Sequence, residues 1–168
     1  LTKGKLLHVG CGGDPLPYFL QDYAETRLDI DDTHKPDILA SMTDMGDIGE
    51  FDAILCSHSL EHLLPHDVAK ALTEFVRVLK PGGFSVIFVP DLEGVKATEE
   101  PLFEAPCGTI TGLDLLYGLR SLLHVMPYMA HRTGFIAKTL EQAVLNAGFT
   151  KAVTTRLPNY NLMCVGVK

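Results

Sequence analysis

The sequence predicts an α/β fold, a mostly parallel sheet with helices on both faces and an antiparallel hairpin at its C-terminal end. Three observations carry this. Short apolar runs recur along the chain with helical patterns between several of them, the alternation a parallel sheet requires. The first run, in LLHVGCGGDP, ends in three glycines within four positions, Gly10, Gly12 and Gly13, where the backbone can turn sharply and approach a ligand without Cβ interference. The last two runs are joined only by Leu157-Pro158-Asn159-Tyr160, too short for a parallel crossover, so they pair antiparallel.

Strands are expected over residues 5–9, 26–30, 37–40, 53–56, 84–89, 151–156 and 161–167, seven in all. The clearest helix covers 67–79, with Val68, Leu72, Phe75, Val76 and Leu79 on one stripe, and Lys80-Pro81-Gly82-Gly83 stops it. A second helix starts at the box Thr139-Leu140-Glu141-Gln142 and ends at Gly148. Between residues 91 and 138 the pattern breaks into a long insertion with an apolar helical piece near 113–125, expected to form an ordered lid. Its charge is split: five acids against one lysine over 91–104, then Arg120, Arg132 and Lys138 with no acid over 115–140.

A chain of 168 residues fits one domain, 1–168, and 46% hydrophobic with 21% charged residues places it among ordinary globular chains. No run approaches the ~18 apolar residues of a membrane span, and the opening LTKGKLL is no signal peptide. Lacking an initiator Met, the chain is expected to begin inside a longer one, with a helix before it. A net charge of −7 argues against bulk nucleic-acid binding. Cys11, Cys56, Cys107 and Cys164 lie far apart with no C-x-x-C pair and read as buried or semi-buried thiols of a reducing, cytoplasmic compartment.

The ordered set HVGCGG, RLDID, FDAILCSHSLEHL, VLKPGGFSVIFVPDLE and LEQAVLNAGF resembles the class I S-adenosylmethionine-dependent methyltransferases over nearly the whole chain. The short gap between Gly13 and Leu28, PDLE, and the YGLR and MAHRTGF pieces look closer still to a bacterial, type 11-like subgroup. The resemblance implies a Rossmann-like seven-stranded sheet and S-adenosylmethionine as cofactor, with S-adenosylhomocysteine as product. It implies that Gly10, Cys11 and Gly12 line the methionine side and that Asp29 accepts hydrogen bonds from the ribose hydroxyls. Ser41 and Met42 then flank the adenine, and Ser57 and His58 sit near the amino acid end. His8 and Ser41 depart from the family, which often has acids there. Each departure costs a hydrogen bond of about 0.5–1.5 kcal/mol, or at most about tenfold in affinity.

His58-Ser59-Leu60-Glu61-His62 is also a literal H-x-x-E-H, the inverted zinc-protease pattern. Here it directly follows a buried strand, where the methyltransferase resemblance accounts for it, and no metal is expected. A dinucleotide oxidoreductase is disfavoured because G-x-G-G lacks the third glycine at the usual offset. A methyltransferase-like binding module that has lost transfer chemistry is the non-enzymatic alternative.

Methyl transfer from a sulfonium needs alignment and water exclusion more than catalytic side chains, so the sequence names the cofactor more readily than the acceptor. From their positions in the insertion and at the end of the fifth strand, His131 is the candidate base and Asp91 its alternative or orienting partner. Tyr117, Arg120 and Arg132 are candidates for gripping an anionic small-molecule acceptor, since arginine offers a planar fork to carboxylate or phosphate. His124 and Met126 are expected to pack the lid, and the apolar stretch 113–129 leaves room for pairing with a second copy.

Overall fold

A strand apolar on both sides is stable only when both faces are covered, and β1 (Lys5–Val9) meets this condition: Leu6, Leu7 and Val9 expose no surface. The computed structural model describes residues 2–168. It contains β2 (Ala24–Asp29), β3 (Ile38–Leu39), β4 (Phe51–Ser57), β5 (Leu79–Pro90), β6 (Pro101–Ala105), β7 (Gly108–Thr111), β8 (Lys151–Leu157) and β9 (Asn161–Val167). Its α-helices are α1 (Pro65–Val78), α2 (Gly112–Tyr117) and α3 (Ala137–Asn146). Seven strands form the main sheet in the order β3-β2-β1-β4-β5-β9-β8, and β6 with β7 forms a separate antiparallel hairpin. The first five strands of the order are parallel; β9 runs antiparallel to both β5 and β8, as the short link before it requires.

The two faces are covered unequally. Leu7, Val9, Ile54, Cys56, Ile87 and Val89 point to one core, filled by Val68, Leu72 and Phe75 of α1 and Leu140 and Val144 of α3. Each such fully buried side chain contributes about 1.5–3 kcal/mol. On the opposite face Leu6, Ala53, Leu55 and Val86 pack with Leu16 and Leu20, around a 3-10 turn at Tyr18–Leu20, and with half-buried Tyr23, Phe84, Phe88 and Met163. The connection from β1 to β2, residues 10–23, is near the minimum for a parallel crossover, and a turn takes the place of a helix.

Several boundaries differ from expectation for local reasons. α1 begins at Pro65, whose missing N–H costs nothing in a first turn, and ends at Val78. Lys80-Pro81-Gly82-Gly83 therefore does not stop the helix; it opens β5, where the register against β4 shifts between Phe51 and Ala53 and Gly82 takes φ +77°. α3 starts two residues before the expected box, because Thr139 accepts from the Ile136 N–H at 3.0 Å and so sits inside the first turn. The helix expected near 113–125 is only the six residues of α2, ended by Gly118 at φ +91°. Cys11, Cys56 and Cys164 are buried, whereas Cys107 is exposed at the turn of the β6–β7 hairpin, outside either core.

The insertion is ordered and clamped at its base. Asp91 and Phe135 form an isolated parallel bridge, and the Leu92 N–H donates to the Phe135 carbonyl at 2.9 Å. At its tip, Phe103 stacks on Tyr160 of the terminal hairpin with ring centroids 6.2 Å apart.

Candidate functional site

The chain leaves β1 toward β2 and β3, then returns to the other side of β1 as β4. This reversal opens a crevice beyond the carboxyl ends of β1 and β4, the place where open α/β sheets bind ligands. Gly10 follows β1 with φ +62° and Gly12 has φ +45°. The Gly10 and Cys11 amides both donate to the Leu28 carbonyl, at 2.8 and 3.3 Å, which folds the turn over the end of β2. A Cβ on Gly10 would lie 2.6 Å from the Ser59 Cβ and 3.6 Å from the Met42 methyl, so three expected and unexpected parts of the site meet at this one atom.

Asp29 ends β2 and is half-buried. One carboxylate oxygen accepts from the Gly12 N–H at 2.8 Å and the other from the Asp31 N–H at 2.9 Å. Met42 is half-buried beside Gly10. The Ser41 hydroxyl is held in its own turn by Thr43, with an O···O separation of 2.8 Å and the Thr43 N–H donating at 3.2 Å. Ser57 ends β4, and His58 takes φ +49° while its N–H donates to Phe88. Burial pushes the Cys11 thiol up, against the Arg27 guanidinium, which pulls it down.

Two residues that sequence reasoning missed hold this turn in place. Ser59 donates its hydroxyl to the carbonyls of Gly10 and Ser57, 3.1 Å each, and so ties the β1 and β4 ends together. Arg27 donates to the carbonyls of Gly12 at 2.7 Å and Asp14 at 2.9 Å, and to Glu25 at 3.2 Å. Glu25 also meets the Nδ1 of the buried His8 at 2.7 Å, so His8, Glu25 and Arg27 form a polar brace under the glycines. The signal was present: Glu25 and Arg27 alternate on β2 opposite Leu6 and His8, on a face that period-2 patterning would fill with apolar residues. A cavity of about 550 Å³ lies on that side, lined by Gly12, Gly13, Glu25, Arg27 and His34. It shares Gly12 with the glycine turn, while Met42 and Ser59 do not line it.

The insertion brings its candidates to the β4 end. Arg132 and Thr133 donate their backbone N–H groups to the Glu61 carbonyl at 2.8 and 3.1 Å, and the Thr133 hydroxyl donates to Leu63 at 2.6 Å. His131 Nδ1 lies 2.8 Å from the Leu115 carbonyl, and burial holds its imidazole below the ordinary histidine range. Its ring centroid is 5.2 Å from that of His62. Asp91 is not a free partner: it pairs with Arg156 at 3.1 Å and accepts from the Glu93 N–H at 3.0 Å. Arg120 is likewise engaged within the insertion, its guanidinium pairing with both oxygens of Glu99 at 3.0 and 2.6 Å and with Asp114 at 3.1 Å. These bonds leave no open fork for an anion. Tyr117 and Arg132 are exposed, and so is His124, while Met126 is half-buried.

Residues 7–87 match a family model described as a methyltransferase domain. No curated protein matches the chain in sequence. Among solved structures, it is similar to the glycopeptide N-methyltransferase MtfA bound to S-adenosylhomocysteine, with a TM-score of 0.68, 14% identity, and coverage of 99% of this chain and 84% of that one. It is similar to the Burkholderia thailandensis 1,6-didemethyltoxoflavin-N1-methyltransferase, with a TM-score of 0.63, 14% identity, and 99% and 72% covered. It also resembles human N-acetylserotonin methyltransferase in complex with its cofactor, at a TM-score of 0.67 and 12% identity, with 98% of this chain but only 48% of that one covered. The chain thus spans about half the length of some relatives and most of others. Strand order, the glycine turn with its acid at the end of β2, and the matched residues 7–87 agree: the chain has the Rossmann-like fold of the methyltransferases it resembles.

Proposed function

We propose that the chain transfers the methyl group of S-adenosylmethionine to an acceptor held between the β1–β4 crevice and the insertion. The observation that carries this reading is the meeting of Gly10, Met42 and Ser59 at one point, with Asp29 one turn away on the Gly12 amide. Gly10, Cys11 and Gly12 line the methionine side through backbone groups. Asp29 Oδ1, which accepts only from the Asp31 N–H, keeps a second lone pair for a ribose hydroxyl, while Oδ2 accepts from the Gly12 N–H and the Cys11 thiol. Met42 and Ser41 flank the adenine, and Ser57 and His58 close the amino acid end. The solved neighbours described above with a bound sulfur cofactor support the same ligand here.

When bound, the cofactor supplies an activated methyl group: the acceptor lone pair forms the new bond to carbon as the carbon–sulfur bond breaks and its electrons return to sulfur. The protein's part is alignment and exclusion of water. The ordered insertion covers the carboxyl ends of β4 and β5 and serves both. For a hydroxyl or amine acceptor, His131 is the proton acceptor. Its Nδ1 is held by a carbonyl that can only accept, so Nε2 carries the lone pair, and burial keeps the ring neutral near pH 7. Exposed Arg132 and Tyr117 are the groups for an anionic small molecule, and exposed Leu122, Val125 and Met129 are the surface on which a second copy would pair. Free thiols throughout fit a cytoplasmic setting, and among the described residues no helix is long and apolar enough to cross a membrane.

The test is to incubate the protein with S-adenosylmethionine and pools of small anionic hydroxyl and amine compounds and to follow S-adenosylhomocysteine. Acceptor-dependent product, reduced in His131→Ala, is expected. Tight cofactor binding with no turnover in any pool would favour the binding-module reading.

A further inference from the structure

We infer that Glu61, His62 and His131 form a divalent transition-metal site joining the insertion to the domain, contrary to the expectation of no metal drawn from the sequence. Glu61 is 2% exposed, and neither of its carboxylate oxygens has a hydrogen-bond partner. The group approaching it, His58 Nδ1, stands 3.4 Å from Oε1, at the edge of solvent. A buried carboxylate without donors is costly and calls for a cation or a proton.

Apart from His58, the polar groups nearest Glu61 are metal-ligating types. One ligand atom from each of Glu61, His62 and His131 lies within 4.8 Å of the others. His62 Nδ1 lies 3.3 Å from the Ala130 carbonyl and His131 Nδ1 lies 2.8 Å from the Leu115 carbonyl. Carbonyls only accept, so in each neutral ring Nδ1 carries the hydrogen and Nε2 the lone pair. Fixing a histidine by a backbone carbonyl on its far nitrogen is how proteins orient metal ligands. Glu61 and His131 line a narrow crevice with Pro90, Leu92 and Phe135, and the ligand atom of His62 lies within 4.8 Å of theirs, so the three acceptors repel unless a proton or a metal cation lies between them.

Two imidazoles and one carboxylate with an open fourth position is the donor set of catalytic zinc sites. Bonds of about 2.0–2.2 Å place tetrahedral ligands roughly 3.3–3.5 Å apart, so binding would draw the three together by no more than about 1.5 Å. The ion would then link His131 of the insertion to the end of β4, adding to the bonds from Arg132 and Thr133 to the Glu61 carbonyl.

This inference stands apart from methyl transfer and meets it at one atom. A metal uses the same His131 nitrogen that a proton would, so transfer that persists in the zinc-saturated protein excludes His131 as the base without affecting the site.

The experiment is a calorimetric titration of the full, chelator-treated chain with Zn²⁺, repeated with Co²⁺ under visible spectroscopy. It is run on wild type, Glu61→Gln and His131→Ala. One equivalent binding in the micromolar range or tighter is expected, with cobalt bands that lack thiolate charge transfer. Affinity should fall about 10- to 100-fold or more in E61Q and H131A. E61Q keeps the shape of the side chain and removes the buried charge, so it decides the matter even if H131A fails to fold. Zinc binding of equal strength in wild type and E61Q, as from surface groups such as Cys107 and His66, would overturn the proposal, as would no binding at millimolar ion.

Discussion

Replacing Gly10 by alanine tests whether the β1 turn and the β4 end are built as one unit. Two costs arise together. At φ +62° an L-residue is in the left-handed region, which costs about 1–2 kcal/mol. The new methyl would also stand 2.6 Å from the Ser59 Cβ, and relief of such crowding costs about 1–3 kcal/mol. The sum, about 2–5 kcal/mol, corresponds to a fall in Tm of roughly 4–20 °C for a domain of this size. Ser59→Gly alone loses the hydroxyl bonds to Gly10 and Ser57 and stiffness of the chain, about 1–2 kcal/mol. In the double variant the crowding is gone while the φ cost remains. Urea denaturation of the four proteins in this cycle should therefore show a favourable coupling of about 1–3 kcal/mol. Effects that add within about 0.5 kcal/mol would refute the contact and, with it, the joined construction of the crevice.

Two further outcomes follow from burial and charge. Native protein treated with a thiol reagent should be alkylated at Cys107, with Cys11, Cys56 and Cys164 protected by burial, which also raises each of those thiols; mass spectrometry showing early labelling of Cys56 would contradict the core packing. Asp114 is nearly buried, which raises its carboxyl, but the Thr111 hydroxyl and backbone N–H groups together with Arg120 outweigh this and hold it below the usual range. Its folded value lies below its unfolded one, so its contribution is complete above the unfolded pKa of about 3.9 and is lost as pH falls through the folded value. Asp114→Asn should lower stability at pH 7 and flatten the acid limb of the stability curve, and an unchanged slope below pH 4 would count against the Thr111–Asp114–Arg120 cluster.

What the sequence disclosed and what it withheld divide along a physical line. β1, β4, β5 and β9 were legible because each is an apolar run bounded by turn residues, and the places of Gly10 and Asp29 because they mark the ends of β1 and β2. Lys80-Pro81-Gly82-Gly83 misled because the same residues that stop a helix also make a bulge at a strand entry, and here Leu79 already pairs with Phe51. The β6–β7 hairpin was hidden because its strands are mostly half-buried, with no alternation strong enough to register. Arg27 and Ser59 act through bonds to backbone carbonyls, which no side-chain pattern announces. Glu61 and His131 meet only when the insertion folds back on the β4 end, and the H-x-x-E-H spacing alone could not show that a third ligand would arrive from there.

The account rests on the crevice at Gly10, Gly12 and Asp29 being a sulfur-cofactor site. Calorimetric titration with S-adenosylhomocysteine, with NAD as control, tests it most directly when wild type is compared with Asp29→Ala. The account predicts saturable binding of S-adenosylhomocysteine alone, weakened about 10- to 100-fold in the variant as charge-assisted bonds of about 1.5–3 kcal/mol are lost. Binding of equal strength in both proteins, or none to wild type at millimolar ligand, would contradict it.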